Sequence, residues 1–373
     1  MRVLVVSPHP VLPSVSGDRI RTAQLMDGLS AMGVEVGLLC LDHPGEPSAS
    51  WTSRSIPVRP TGFAKAIGWR LSLAAARRAD QFALYRSPRL QLELQQTIDD
   101  LRPDVVDFQH SFMWVPTKSA SVLSLIDVHS HRLARGGTFS RVQIERARSM
   151  ERTAILSAPR TVTLSELDRT RALELVPERS DILTVPLGVS VGAVKRRMSQ
   201  PPKVQCIGYV GAFDYEPNVE AAKILLDQWP GISRDLGIRK LVLAGRAAAQ
   251  HFRPAPGVEI RSDVPDMYEV MHELDILVVP LVSGGGVRVK IIEAFALGVP
   301  VVSTKLGIEG LNADDGKHAI IVPSAEEVPA GLARAADSMV RNRLSVAAHA
   351  HWEAGFSAGS MAARMLDIYR EVV

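Results

Sequence analysis

LDILVVPLVSGGGVRVKIIEAFALGVPVVST, residues 274–304, packs a whole structural unit into one run. LDILVVP is apolar and β-branched without alternation, as in a parallel strand buried on both faces. Ser283 and the three glycines 284–286 then break the run. A helical pattern is predicted over 287–296, and PVVST returns to strand composition. Strand, loop, helix and strand in that order form the repeating unit of a doubly wound parallel sheet.

The same unit recurs outward in both directions. Strand-like runs stand at RVLVVS (2–7), VEVGLLCL (34–41), DVVDFQH (104–110), SLIDVHS (124–130), TVTLS (161–165) and ILTVPLGV (182–189). Helical patterns fall at 18–32, 92–101, 141–157 and 166–176. VGAVKRRMSQPPK (191–203) is basic, polar and ends in two prolines, the composition of a linker. The alternation restarts with VQCIGYVG, a helix at 217–227, KLVLAG, a short VEI strand and a helix at 265–272. After 274–304 come AIIVP and helical segments at 325–338, 341–353 and 359–372. Two doubly wound parallel-sheet domains are expected, 1–190 and 204–355, with a C-terminal helix at 356–373 free to pack back on the first. Ligands of such sheets sit at the carboxyl ends of the strands, and two facing domains would form a cleft.

Bulk composition narrows the classes. With 373 residues the chain exceeds one ordinary core, and 46% hydrophobic with 22% charged residues is ordinary for folded protein. A net charge of +3 is too small to argue for nucleic acid. Cys40 and Cys206 lie in apolar runs far apart and read as buried free thiols in a reducing compartment. MRVLVVSPHP is too short for a signal sequence, and the longest apolar stretch, LDILVVPLV (274–282), falls well below the ~20 residues of a membrane span. A cytoplasmic protein is expected.

The chemistry of the opening run is that of an anion site. Helix N-termini offer unpaired N–H groups and the positive end of a dipole. Glycines 284–286, followed by Val287, let backbone approach an anion without a Cβ between. Arg288 and Lys290 add mobile positive charge suited to a diphosphate, and Glu293 could accept hydrogen bonds from ribose hydroxyls. The spacing fits neither a Walker A loop nor GxGxxG.

On these residues the chain resembles the retaining GT-B glycosyltransferases, group 1 or family 4-like, which use nucleotide-sugar donors. GGGVRVKIIEAFALGVPVVSTKLGIEGL is similar to their donor-binding segment. SVSGDRIRTAQLMDGLSAMGVEVGLLC is similar to their first loop and helix, and TLSELDR and TVPLGV to the close of their first domain. IGYVGAFDYEPNVEAAKIL resembles the second-domain opening of a subgroup tied to exopolysaccharide assembly. The resemblance implies two Rossmann-like domains facing across a cleft, and retaining, metal-independent transfer from a UDP- or GDP-linked sugar without other cofactor. The acceptor would be a glycan, a lipid-linked sugar or a small molecule. It gives Glu293 the ribose, Arg288 and Lys290 the diphosphate, and Gly284, Gly285 and Gly286 the pyrophosphate and sugar. Gly17 and Arg19 would lie beneath the diphosphate, His129 would contact the donor sugar, and Val264 would border the nucleobase. Two departures stand out. Gly285 replaces a family glutamate, and GAFDYEPN lacks the Arg and Lys common after the second domain's first strand.

Other polar residues have plainer readings. His110 is taken as a surface or core histidine. Asp127, His129 and His131 are not taken as metal ligands. Asp18, Asp214 and Glu216 are read as helix-capping groups. GFAKAIGWRLSLAAARR (62–78) is a basic amphipathic stretch, a candidate for peripheral membrane contact or a surface helix. A GT-B-fold nucleotide-sugar epimerase and a catalytically silent binding relative are the rival readings.

Overall fold

Neighbouring residues of β1 (Arg2–Val6) enter different cores: Val3 and Val5 join one buried cluster, Leu4 and Val6 another. A strand buried on both sides needs helices on both faces, and the sequence supplies them. The structure, a computed structural model, describes residues 1–14, 16–41, 45–56, 88–135, 139–192 and 194–373. The basic stretch 62–78 lies outside the described residues.

After β1 come α1 (Gly17–Ala31), β2 (Glu35–Leu41), β3 (Thr52–Ile56), α2 (Pro88–Leu101), β4 (Val105–Gln109) and β5 (Ala120–Leu125). Then follow α3 (His129–Arg135), α4 (Arg141–Ser157), β6 (Arg160–Thr163), α5 (Glu166–Leu175) and β7 (Leu183–Thr184). A reciprocal cap between Ser140 and Gln143 starts α4. The described strands pair in the order β3-β2-β1-β4-β5-β6-β7, every pair parallel.

A second sheet uses β8 (Cys206–Val210), α6 (Glu216–Leu236), β9 (Lys240–Gly245), α7 (Ala248–His251), β10 (Val258–Ser262), α8 (Met267–Glu273) and β11 (Ile276–Val279). It continues with α9 (Val289–Leu297), β12 (Val301–Thr304), β13 (Ile320–Val322), α10 (Val328–Arg334) and α11 (Ser338–Gly355). Its order is β10-β9-β8-β11-β12-β13, again all parallel. Both sheets run outward from their first strand and then reverse, the doubly wound topology.

The chain divides into two compact units, Met1–Leu187 with Met361–Val373, and Gly188–Ser360. Residues 191–203 therefore group with the second unit. Arg197 donates to the carbonyls of Leu274 and His272, and Arg341 to that of Pro201. The last helix, α12 (Ala358–Val372), places Met361, Met365 and Tyr369 in the first unit's core. Its Tyr369 hydroxyl donates to Asp107 Oδ2 at 2.6 Å. Ser124 (2.7 Å) and Gln109 (2.8 Å) complete the shell of that buried carboxylate, and Arg21 donates to Gln109 at 2.5 Å.

Several expectations shift. The strand expected at 124–130 lies at 120–125, and residues from His129 onward are helical. The strand expected over 182–189 is reduced to Leu183–Thr184. TSRSI forms β3 without an apolar signal, because an edge strand is fixed by its ladder to β2. Pro230 does not end α6, since burial of Trp229 and Ile232 holds the helix through it. Cys206 is half-buried, whereas Cys40 is fully buried. Among the described residues, no helix is long and apolar enough to cross a membrane.

The ends of β8 and β9 pack backbone to backbone. Gly245 has φ 142°, and a Cβ on it would come within 1.9 Å of the Gly211 carbonyl oxygen. Gly245→Ala is expected to destabilise the chain by about 2–3 kcal/mol through forced strand separation. Denaturant unfolding of the two chains side by side would read that difference.

Candidate functional site

Strand order reverses between β8 and β11 in the second sheet, so the loops after these strands diverge and leave a crevice at their carboxyl ends. The loop after β11 is the glycine run of the opening stretch. Gly284 and Gly286 take φ of 97° and 80°, values that a side chain disfavours. The Gly284 backbone runs against the Tyr215 hydroxyl and Pro217, at 3.1 and 3.2 Å from where a Cβ would stand. Ser283 ties the loop to α6 by donating to Glu220 Oε2 at 2.6 Å. Val287 is half-buried before the helix, which begins at Val289 with Arg288 at its cap position.

The two cations are tied to the fold by their own contacts. Arg288 is 8% exposed, and its guanidinium donates to the Gly285 and Gly286 carbonyls. Lys290 Nζ donates to Asn218 Oδ1 at 3.1 Å and lies 3.9 Å from the centre of the Tyr209 ring, a cation–π contact. Tyr209 donates to the same Asn218 oxygen at 2.6 Å, and Asn218 Nδ2 donates to the Ala212 carbonyl at 2.8 Å. A Cβ on Gly211 would stand 2.8 Å from Lys290 Nζ, so bare backbone at the end of β8 makes room for the ammonium. A helix of the β11 side thus brings a cation to the strand end where GAFDYEPN has none. Burial, with help from Arg288, holds the Lys290 proton affinity well below the usual lysine range.

Glu293 is also 8% exposed. Burial pushes its carboxyl up to about 7, against the hydrogen bond with the Tyr268 hydroxyl and the charge of Lys290. Tyr268 sits in the first turn of α8, where Asp266 accepts its backbone N–H at 2.8 Å. It also lines a recess of about 680 Å³ with Val191, Val194, Glu269 and His272. Val264 is half-buried in the loop between β10 and α8. Gly285 carries no carboxylate and presents its carbonyl to Arg288.

The first unit has its own reversal between β1 and β4. Gly17 opens α1, with Asp18 and a half-buried Arg19 in its first turn. Asp18 is not the cap residue, a position held by Ser16, whose hydroxyl donates to Asp18 at 2.5 Å. Asp214 likewise does not cap α6, since Tyr215 takes that position and Asp214 pairs with Arg246 at 2.7 Å. His129 is 1% exposed at the start of α3, and Glu151 of α4 fixes it there. Glu151 accepts from the backbone N–H of His129 (2.9 Å) and Ser130 (3.1 Å), and from the hydroxyls of Ser130 (2.7 Å) and Ser111 (3.2 Å). His129 Nδ1 lies 2.7 Å from the Arg132 guanidinium, which pairs with Asp127 at 2.6 Å. His110 stacks on Phe112 with centroids 4.8 Å apart, and Phe112 meets His129 edge to face at 5.6 Å. Among the described residues, no group of three His, Cys, Asp or Glu side chains is placed to hold a metal.

Sequence reasoning singled out the glycines, Arg288, Lys290 and Glu293, which the structure brings to one strand-end crevice. It did not single out Asn218, Glu220, Tyr268 or Glu151. The contacts that tie them to Lys290, Ser283, Glu293 and His129 each span more than 20 residues, so no local spacing announces them.

Comparison with known proteins agrees with this geometry. Residues 16–188 match the family described as glycosyl transferase 4-like domain, and residues 204–342 match glycosyl transferases group 1. The chain belongs to the group 1 glycosyl transferases, built on the GT-B fold. It is 25% identical over 225 residues to phosphatidyl-myo-inositol mannosyltransferase of Mycobacterium leprae, a match that spans 57% of this chain and 59% of that protein's length. Sucrose-phosphate synthase from Thermosynechococcus elongatus shares the fold with a TM-score of 0.76 at 16% identity, covering 100% of this chain and 98% of that one. Anabaena Alr3699/HepE, solved in complex with UDP-glucose, does so with a TM-score of 0.67 at 13% identity, covering 100% of both chains.

Glu293 titrates higher in the folded chain than its ordinary value of 4.5. Its contribution is therefore complete below about pH 4.5 and is lost as pH rises through about 7. Glu293→Gln removes that loss. Above pH 8 the variant is expected to be more stable than the parent by on the order of 3 kcal/mol, with no difference near pH 4. Unfolding curves at the two pH values would show it.

Proposed function

We propose that the chain is a retaining glycosyltransferase that moves a sugar from a nucleoside-diphosphate sugar, UDP- or GDP-linked, to an acceptor hydroxyl. One observation carries this reading: a glycine loop, a helix N-terminus, Arg288 and Lys290 converge at the strand-order reversal of the second sheet. The departing diphosphate gains negative charge as the glycosidic bond breaks. Loop and helix-end N–H groups with two fixed cations stabilise that charge without reorganising. Burial and the neighbouring Arg288 weaken the hold of Lys290 on its proton, and an incoming diphosphate would strengthen it again. Glu293 accepts the ribose hydroxyls in its ionised form, so donor binding and loss of its proton are coupled.

By family resemblance His129 and the Gly17–Arg19 turn serve the donor sugar and diphosphate, and Val264 borders the base. No side chain acts as a covalent nucleophile. The diphosphate oxygen takes the acceptor proton, and the reaction runs without a metal. The acceptor is a hydroxyl of a glycan, a lipid-linked sugar or a small molecule, in glycan, exopolysaccharide or glycosylated natural-product synthesis. A cytoplasmic location, with peripheral membrane contact through 62–78, fits a lipid-linked acceptor.

Lys290→Ala is expected to lower turnover of the nucleotide sugar by about 100- to 1000-fold, with the melting temperature nearly unchanged. Turnover within a few-fold of the parent would remove Lys290 from the diphosphate site. NMR of the first-formed product reports the anomeric configuration, and an inverted product would overturn retention. Turnover abolished by a chelator and restored by a divalent cation would overturn metal independence.

A further inference from the structure

Two histidines from distant segments of the second unit lie face to face. His318 stands just before β13, and His351 near the end of α11. Their ring centroids are 4.5 Å apart at an interplanar angle of 28°. His318 is 6% exposed. His351 also meets the rings of Phe295 from α9, at 6.3 Å, and of Phe356, at 5.1 Å.

Hydrogen bonds fix the proton on each ring. Asp314 N–H donates to His318 Nδ1 at 2.9 Å, so that nitrogen carries a lone pair and the ring proton sits on Nε2. His318 N–H donates back to the Asp314 carbonyl at 3.1 Å and closes the turn. His351 Nε2 lies 2.7 Å from the Leu311 carbonyl, which only accepts, so this nitrogen is protonated. His351 can therefore gain a second proton and keep its bond, whereas His318 cannot. A proton on His318 Nδ1 would point at the Asp314 N–H and set donor against donor.

Among the described residues, the charged groups facing His318 are His351 of α11 and, from its own loop, Lys317 and Asp314. Asp315 is turned instead to Arg334 and to the Ile321 N–H. The Asp314 carboxylate lies 3.7 Å away but is 65% exposed, so water screens it. Burial, with His351 and Lys317, outweighs Asp314 and holds the imidazole below its ordinary 6.5.

We propose that His318 and His351 form an acid-sensitive latch that holds residues 311–318 on α11 and opens when His318 Nδ1 takes a proton. The latch does not depend on the glycosyltransferase reading. Because the folded chain lowers the proton affinity of His318, the latch's contribution is complete above about pH 6.5 and is lost as pH falls through the folded value.

His318→Asn keeps an acceptor in the place of Nδ1 and does not titrate. Hydrogen exchange of the full chain at pH 7.5 and pH 5, corrected for intrinsic rates and referred to the β9 amides, would compare the two proteins. In the parent, protection of the Asp314, Lys317 and His318 amides is expected to fall about fivefold at the lower pH. In the variant it is expected to change less than twofold. Equal parent protection at both pH values, or the same fall in the variant, would overturn the proposal. Should the variant lack protection at pH 7.5 as well, NMR titration of His318 in the parent decides. A midpoint below 6.5, with the Asp314 amide signal shifting alongside, supports the latch, and a midpoint at or above 6.5 overturns it.

Discussion

Parallel strand pairing is the constraint on which the rest of the molecule depends. In each sheet every described strand points the same way, so the carboxyl ends and the loops that follow them collect along one edge. Most crossovers run through a helix, and those helices begin at that edge with their N–H groups unpaired. Where strand order reverses, successive loops part. Gly211 and the 283–286 loop occupy that position in the second unit, and His9 and His110 in the first. The backbone contact of Gly211 with Gly245 and the ammonium above Gly211 follow from the same crowding.

Buried ionisable groups in the chain fall into two kinds. Asp107 and Glu151 are fully shielded and surrounded by donors: hydroxyls, an amide and a fixed backbone N–H meet their oxygens. These carboxylates bind segments together, with Asp107 joining α12 to the sheet centre and Glu151 fixing the start of α3. Lys290 and Glu293 are different. Burial shifts all four, but Lys290 and Glu293 stand on the helix that follows the glycine loop, at the carboxyl end of the second sheet, and not between segments they tie together. A group held in its unfavoured charge state gains most from a ligand that reverses the condition.

Most of the fold was legible because parallel strands buried on both faces leave unmixed apolar runs, and glycines mark where they end. KLVLAG and the helix over 141–157 need no correction at all. The misread elements are those whose signal is not local. β3 is polar and exists through its ladder with β2, and α6 runs through Pro230 because Trp229 and Ile232 are buried. His129 reads as the end of a strand until Glu151, from a later helix, is seen to accept its N–H.

For the site, the sequence by itself determined the glycine loop, the helix it feeds, and the presence of Arg288, Lys290 and Glu293 on one short segment. Spacing along a single chain segment fixes such neighbours. Only the tertiary structure decided what those side chains do there. It turned Arg288 onto the loop carbonyls, set Lys290 over Tyr209 and Gly211, and closed Tyr268 on Glu293. Those contacts depend on strands that are adjacent in the sheet and remote in sequence. The shifted proton affinities arise from burial, which no run of residues displays until the sheet has formed around it.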